Sequence, residues 1–279
     1  MSIELFPLNK ISNQDIVYGI YYCSYKELKK TKYNDKFISI GLSDSSGSLD
    51  SKVWNNCDFY DSKFNEGDIV AVKGFPNLYR NKIELNIANI LKCNPLMYDK
   101  YGFSLGMIIS KVNFDVGIVW REITRYFKKT GLKSELIKKI FCDYKHSILT
   151  YPSNMEPMLQ KEGAFVMDLY KALKLVNILL GKMSERDNIN CDLIYSLIFL
   201  VKFDLITGYE KKIIYSLTEE SSDRGLQTVF SDIINKYKNT IEKKSFFNLE
   251  KSIFDSKSDE FEFEKKIVEK VYALISYVD

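Results

Sequence analysis

The chain has 279 residues, 46% hydrophobic and 28% charged, with 13 Gly and 5 Pro. At roughly 150 residues per domain this suggests about two globular domains, and it excludes disorder, collagen and low-complexity arrays. Its 40 Lys and Arg stand against 37 Asp and Glu, a net charge of only +3, so any nucleic-acid binding must come from a local site rather than bulk charge.

The single histidine, His146, leaves no material for histidine-cluster catalysis or for a metal site needing two imidazoles. Five cysteines (Cys23, Cys57, Cys93, Cys142, Cys191) contain no C-x-x-C pair. Zinc ribbons and dithiol redox motifs are thereby excluded, and buried free thiols in a reducing cytoplasm are expected. The start, Met1 to Pro7, lacks a basic region followed by an apolar one, so no signal peptide is expected. The longest apolar stretch, Leu193 to Val201, is interrupted by Ser196 and is too short to span a bilayer; no membrane partner is expected.

From Ile16 to Ile90 short runs rich in Ile, Val, Tyr and Phe alternate with turn residues. The pattern predicts strands at Ile16–Tyr25, Phe37–Ser43, Leu49–Trp54, Ile69–Phe75 and Lys82–Ile90. Turns are expected at Asp44-Ser45-Ser46-Gly47, Asn65-Glu66-Gly67-Asp68 and Pro76 to Asn81, with a short helical turn within Asn56 to Phe64. Five short strands must close on themselves or expose long edges, and the economical closure is a five-stranded OB-fold barrel.

After Asn94-Pro95 the periodicity becomes helical. Trp120, Ile123 and Phe127 recur at helical steps, as do Leu136, Ile140 and Tyr144. Gly163–Leu180 and Cys191–Leu205 are candidate central helices, followed by Leu226–Ile241 and Phe261–Val278. Gly131 and the pair Pro152 and Pro157 read as breaks. Ser245–Glu260 reads as a polar loop, and acidic Ser256–Glu264 as a solvated lead into the last helix. The fold class is therefore β plus α: an N-terminal OB barrel over residues 1–95 and an all-helical domain over 96–279.

Alternation along each strand assigns the two faces of the barrel. Ile38, Ile40, Leu42, Val53, Val70, Val72, Leu85 and Ile87 point inward. Outward fall Phe37, Lys52, Trp54, Lys73, Phe75 and Lys82, with Tyr79 and Arg80 in the loop between the last two strands. Aromatic rings among lysines suit single-stranded DNA or RNA, whose bases stack and whose phosphates seek cations. Lys32 and Lys36, with Tyr33, Lys29 and Lys30 in the first turn, could extend the track. The opposing reading is that these aromatics are buried at an internal interface.

Phe37 to Trp54, then Gly67-Asp68-Ile69-Val70-Ala71-Val72-Lys73-Gly74, then Tyr79 to Ile87, resemble the OB domain of YhaM-type 3′–5′ exoribonucleases. The resemblance implies that an HD phosphohydrolase domain follows the barrel. Tyr151-Pro152-Ser153, Gly163-Ala164-Phe165, Cys191 through Leu205, Ile214 to Glu219 and Glu269 to Asp279 are similar in outline to that domain. Such a site holds metal ions on histidines and aspartates. Where the resemblance places those ligands, this chain has Met158 and Leu159, Asp168, Val201 and Lys202, and Ser256 and Lys257. It therefore implies a degenerate HD domain with no catalytic residues, no metal and no cofactor. Lys202 reads as a pairing partner of Asp204 or Asp168, with a new anion contact as the alternative. Asp168, Asp192 and Asp204 read as solvated or salt-bridged carboxylates, with one weak Mg²⁺ site as the alternative.

No Gly-rich phosphate loop is present. A triad would have to use His146 as its base, and a surface or capping role fits it better. Cys142 lies four residues before it on one helix face. The expected function is a non-catalytic binder of single-stranded DNA or RNA, with the helical domain serving self-association or a protein partner. Two alternatives stand beside it: a metal-dependent 3′–5′ exoribonuclease with a carboxylate site, and a protein-binding adaptor in a replication or transcription assembly. The Lys-, Ile-, Asn- and Tyr-rich usage suggests an AT-rich genome such as a phage's.

Overall fold

The computed structural model describes residues 4–12, 15–94, 101–156, 159–183, 189–212, 214–255 and 259–276. It divides into two compact units, Met1–Ser110 with Glu156–Gln160, and Lys111–Met155 with Lys161–Asp279. The change of sequence pattern falls at residue 95, whereas the first unit runs on to Ser110. Pro157 and Met158 lie outside the described residues, as do Ser256 and Lys257.

The first unit is built on β1 (Val17–Lys30), β2 (Lys36–Asp44), β3 (Gly47–Val53), α1 (Cys57–Asp61), β4 (Ile69–Tyr79) and β5 (Lys82–Lys92). The strands close in the order β1-β2-β3-β5-β4, with β3 and β5 parallel and the other pairs antiparallel. This is the OB-fold barrel expected from the sequence. Its interior holds the residues that alternation sends inward: Val17, Tyr21, Ile38, Ile40, Leu42, Val53, Val70, Val72, Leu85 and Ile87 are all buried.

β1 outruns its expected end at Tyr25 because two neighbours share it. Val17–Tyr22 pairs with β4 and Tyr22–Lys30 with β2, and a bulge between Cys23 and Tyr25 turns the strand from one to the other. Lys29 and Lys30 accordingly lie on the strand, not in the first turn. The β2–β3 turn is fixed by Asp44, whose Oδ1 accepts from Ser46 N at 2.7 Å and Gly47 N at 3.1 Å. Lys26 donates to the Asp61 and Phe64 carbonyls at 2.5 and 3.0 Å, tying β1 to the end of α1.

The second unit carries ten α-helices among its described residues. These are α2 (Val116–Thr124), α3 (Ser134–Asp143), α4 (Lys145–Thr150), α5 (Ala164–Met183), α6 (Cys191–Leu200), α7 (Phe203–Gly208), α8 (Glu219–Arg224), α9 (Leu226–Asn235), α10 (Lys243–Phe254) and α11 (Glu262–Ser276). A 3-10 segment, Phe127–Lys133, joins α2 to α3. α6 is covered on every side from Leu193 to Leu200, where each residue is buried and the Ser196 hydroxyl donates to Asp192 O at 2.6 Å. Its first turn is capped by the Asn190 side chain, which accepts from Leu193 N at 3.0 Å. Phe141 packs against Trp120, Phe127, Phe199 and Phe203 at centroid distances of 5.0–6.4 Å. No helix among the described residues is long and apolar enough to cross a membrane.

Several expectations for this half are corrected. Ser245–Glu260 is not a loop: α10 occupies most of it, because Phe246, Leu249 and Ile253 form an apolar stripe at helical spacing, with Phe246 and Leu249 buried. Glu264 is not solvated; it is buried and its Oε1 accepts from Asn190 N at 3.2 Å. Cys191–Leu205 is two helices, since Lys202 at φ −103°, ψ 12° leaves helical geometry. Cys142 and His146 do not share one helix, because Tyr144 breaks α3 from α4. Of the five thiols, Cys142 and Cys191 are exposed.

Candidate nucleic-acid interface

The outside of the barrel has two characters. On one side Ile20 and Tyr22 of β1 and Ile69 of β4 point outward yet are buried. Ser39 and Ser43 of β2 are buried, whereas toward the end of β3 and along the far half of β4 large outward side chains are open. Here Trp54 is 43% exposed, Phe75 42% and Tyr79 46%.

Register explains their grouping. Asn86 of β5 is the cross-strand partner of both Lys52 on β3 and Phe75 on β4, so these three form one outward row. Trp54 follows the last residue of β3; its Nε1 donates to Asn86 Oδ1 at 3.1 Å. Phe37 stacks on the Trp54 ring with centroids 4.8 Å apart. One indole face is thereby occupied and the other left available to a flat ligand. On the β1–β2–β3 side, Tyr25, Gly41 and Asp50 are cross-strand neighbours. A Cβ on Gly41 would fall 2.4 Å from the Tyr25 ring, so glycine lets the ring lie across the strand. The Tyr25 hydroxyl donates to Asp50 Oδ1 at 2.9 Å. Burial, with the Asp50 carboxylate also opposing ionisation, raises the Tyr25 pKa and keeps it a neutral donor.

The cations fall into two groups. Lys52 ion-pairs with Glu84 at 2.5 Å, with side chains 21% and 15% exposed, and its Nζ lies 4.9 Å from the Tyr79 ring centroid. It is thus already neutralised, and its direct part is to hold Tyr79. Lys36 pairs with Asp58 at 2.7 Å, an exposed contact that raises the Lys36 pKa and that solvent screens. Lys73 lies 5.7 Å from the Tyr18 ring, Arg80 5.2 Å from the Tyr79 ring and Lys32 5.0 Å from the exposed Tyr33 ring. With Lys82 they sit in no ion pair among the described residues, so their charges are open to phosphate.

Tyr79 is not in a loop. β4 continues through Pro76 to Tyr79, paired with Lys82, and the turn is only Arg80-Asn81. Both turn residues have positive φ, 49° and 62°, the mark of a tight two-residue hairpin. Lys73, Phe75 and Tyr79 consequently share one continuous strand. The sequence reading missed Tyr18, Tyr25, Glu84 and Asn86. The alternation that sends Leu85 and Ile87 inward already sends Glu84 and Asn86 outward.

Of the resemblance's ligand positions in the helical unit, Asp168 and Lys202 both lie near Tyr272, whose pKa is raised by burial and then by the Asp168 charge, and whose ring lies under Lys202. Asp168 has Lys171 at 3.9 Å. Asp192 lies against Gly131, where a Cβ would fall 1.9 Å from its Oδ2. Asp204 accepts from Leu205 N at 3.0 Å and Gln227 Nε2 at 3.3 Å. No three His, Cys, Asp or Glu side chains among the described residues group in metal-ligand geometry. Lys202 lies over the Tyr272 ring at 4.8 Å and is in no ion pair among the described residues, though its charge lowers the Asp204 pKa against the raising effect of burial.

Residues 26–92 match the family model described as OB-fold nucleic acid binding domain (tRNA_anti-codon). No curated protein matches the chain. Among solved structures, the second OB-fold domain of replication protein A from Methanococcus maripaludis is 21% identical, covering 33% of this chain and 96% of that one at a TM-score of 0.27. The single-stranded DNA binding protein from Thermus aquaticus is 15% identical, covering 29% and 41% at 0.26. The protein PriB from Ralstonia solanacearum is 10% identical, covering 29% and 99% at 0.26.

Proposed function

We propose that the chain binds single-stranded DNA or RNA on the open barrel flank and performs no chemistry on it. The observation that carries this reading is Trp54, backed by Phe37 on one face and 43% exposed, in line with Phe75 and Tyr79. Base–aromatic stacking gives about 1–3 kcal/mol per base and tolerates any sequence. Lys73, Arg80 and Lys82 beside the rings supply charge for the phosphates. The match of residues 26–92 to an OB-fold nucleic acid binding model supports the same reading.

The helical unit is, in this proposal, a decayed HD-type domain that serves self-association or a protein partner. Support comes from Val201 and Lys202 standing where the resemblance places metal ligands, and from the different partners of Asp168, Asp192 and Asp204. Fluorescence anisotropy of the full chain with labelled DNA and RNA oligonucleotides tests the binding. Saturable binding that weakens with salt and with Trp54→Ala is expected. Its absence at low salt for both polymers overturns the reading. Labelled RNA shortened from its 3′ end in Mn²⁺ or Mg²⁺ overturns the non-catalytic part alone.

A further inference from the structure

A cavity of about 580 Å³ opens on the helical unit, walled by α2, the 3-10 segment Phe127–Lys133, α3 and the start of α4. Its size suits a small ligand, for which sites run to about 300–1,000 Å³. Four cations line it, Arg125, Lys128, Lys138 and Lys145, against one carboxylate, Glu135. Exposed Arg125 is paired with half-buried Glu122 at 2.7 Å. Lys128, Lys138 and Lys145 sit in no ion pair among the described residues.

Under these charges the cavity reaches two mostly buried rings, Trp120 at 9% and Phe127 at 7% exposure. Trp120 and Phe127 both line it, and Trp120 stacks on buried Phe141 behind it. The Lys145 ammonium lies 5.4 Å from the Trp120 ring centroid. Gathered like charges around a concavity repel one another and focus a positive field, which an entering anion relieves. A nucleotide combines the two required features, adjacent phosphates and a flat apolar ring. None of Asp168, Val201 and Lys202, where the resemblance places metal ligands, lines this cavity.

We propose that this cavity binds a nucleotide, with Lys128, Lys138 and Lys145 on its phosphates and Trp120 and Phe127 beneath its nucleoside part. A free nucleoside polyphosphate and the phosphorylated end of a strand share that chemistry. The proposal stands apart from the barrel reading.

The chain has 2 Trp, so Trp54→Phe leaves Trp120 as the sole indole, placed at the site itself. The full-length variant is titrated without metal with ATP, with inorganic pyrophosphate, and with one oligonucleotide bearing either a 5′-phosphate or a 5′-hydroxyl. A saturable change in Trp120 emission is expected, weakened about tenfold or more by Lys128→Glu or Lys138→Glu. Lys270→Glu, exposed on α11 and away from the cavity lining, should leave ATP affinity unchanged. Response to ATP assigns the free nucleotide; response to the phosphorylated strand alone assigns the strand end. No response to any probe overturns the proposal. So does a response that both folded charge-reversal variants leave intact, or one in which pyrophosphate binds as tightly as ATP.

Discussion

Phe37 and Trp54 stack at 4.8 Å between ring centroids, with 28° between their planes, on the outside of the barrel. The β2–β3 register, which sets Ile38 opposite Val53, makes these two the next pair along. Phe37 therefore acts as a backing plate that orients the indole. Trp54→Ala should cost about 1–3 kcal/mol of strand affinity, roughly 5- to 150-fold. Phe37→Ala, which acts only through Trp54, should cost less. Anisotropy titrations at fixed salt check the ranking; a larger loss from Phe37→Ala would contradict it.

The Lys52–Glu84 pair makes a prediction that position alone would reverse. Being already neutralised, Lys52 should release few counterions when a strand binds. For single strands each phosphate contact contributes about 0.7 to the slope of log K against log salt. Lys82→Ala or Lys73→Ala should lower that slope by about this amount, whereas Lys52→Ala should leave it nearly unchanged. Glu84→Gln frees Lys52 and should steepen it. The measurement is affinity across a salt series for each variant.

Arg80 and Asn81 place a third test on the backbone. At φ 49° and 62° both occupy the left-handed region, which Asn tolerates and β-branched residues do not. Asn81→Val should destabilise the chain by about 1–2 kcal/mol, while Asn81→Gly should be close to neutral. Urea unfolding followed by circular dichroism reads this difference. Equal midpoints for the two variants would mean that the turn does not need this geometry.

What could be read from the chain, and what could not, divides along physical lines. The barrel was legible because its core obeys a strict two-residue alternation, so Ile38, Ile40 and Leu42 fixed the outward set that includes Phe37. Pairing between outward residues was not legible: Lys52 and Glu84 are 32 positions apart and meet only through the parallel contact of β3 with β5. The hairpin tip was misread because Pro76 looks like a turn residue, although it pairs with Leu85 inside the strand. In the helical half, Lys and Asn around Phe246 and Leu249 masked the apolar stripe of α10. The Lys128, Lys138 and Lys145 group was invisible because three separate elements bring it together.

Asp204 carries the pH dependence. Burial raises its pKa above the ordinary carboxylate value, and the nearby Lys202 charge and its own backbone hydrogen bonds offset this only in part. The folded chain thus holds this proton more tightly than the unfolded one. Between the unfolded and folded pKa values stability falls as pH rises, and above the folded value the penalty is complete. Asp204→Asn removes the charge and keeps an oxygen for Leu205 N, so the variant should be at least as stable as the natural chain at pH 7. Its advantage should shrink as pH falls through the folded pKa and vanish below the ordinary carboxylate range. Urea midpoints for both proteins from pH 7 to pH 4 provide the comparison. An advantage that grows toward low pH would show that the carboxylate is stabilised as an anion, and that burial is not what governs it.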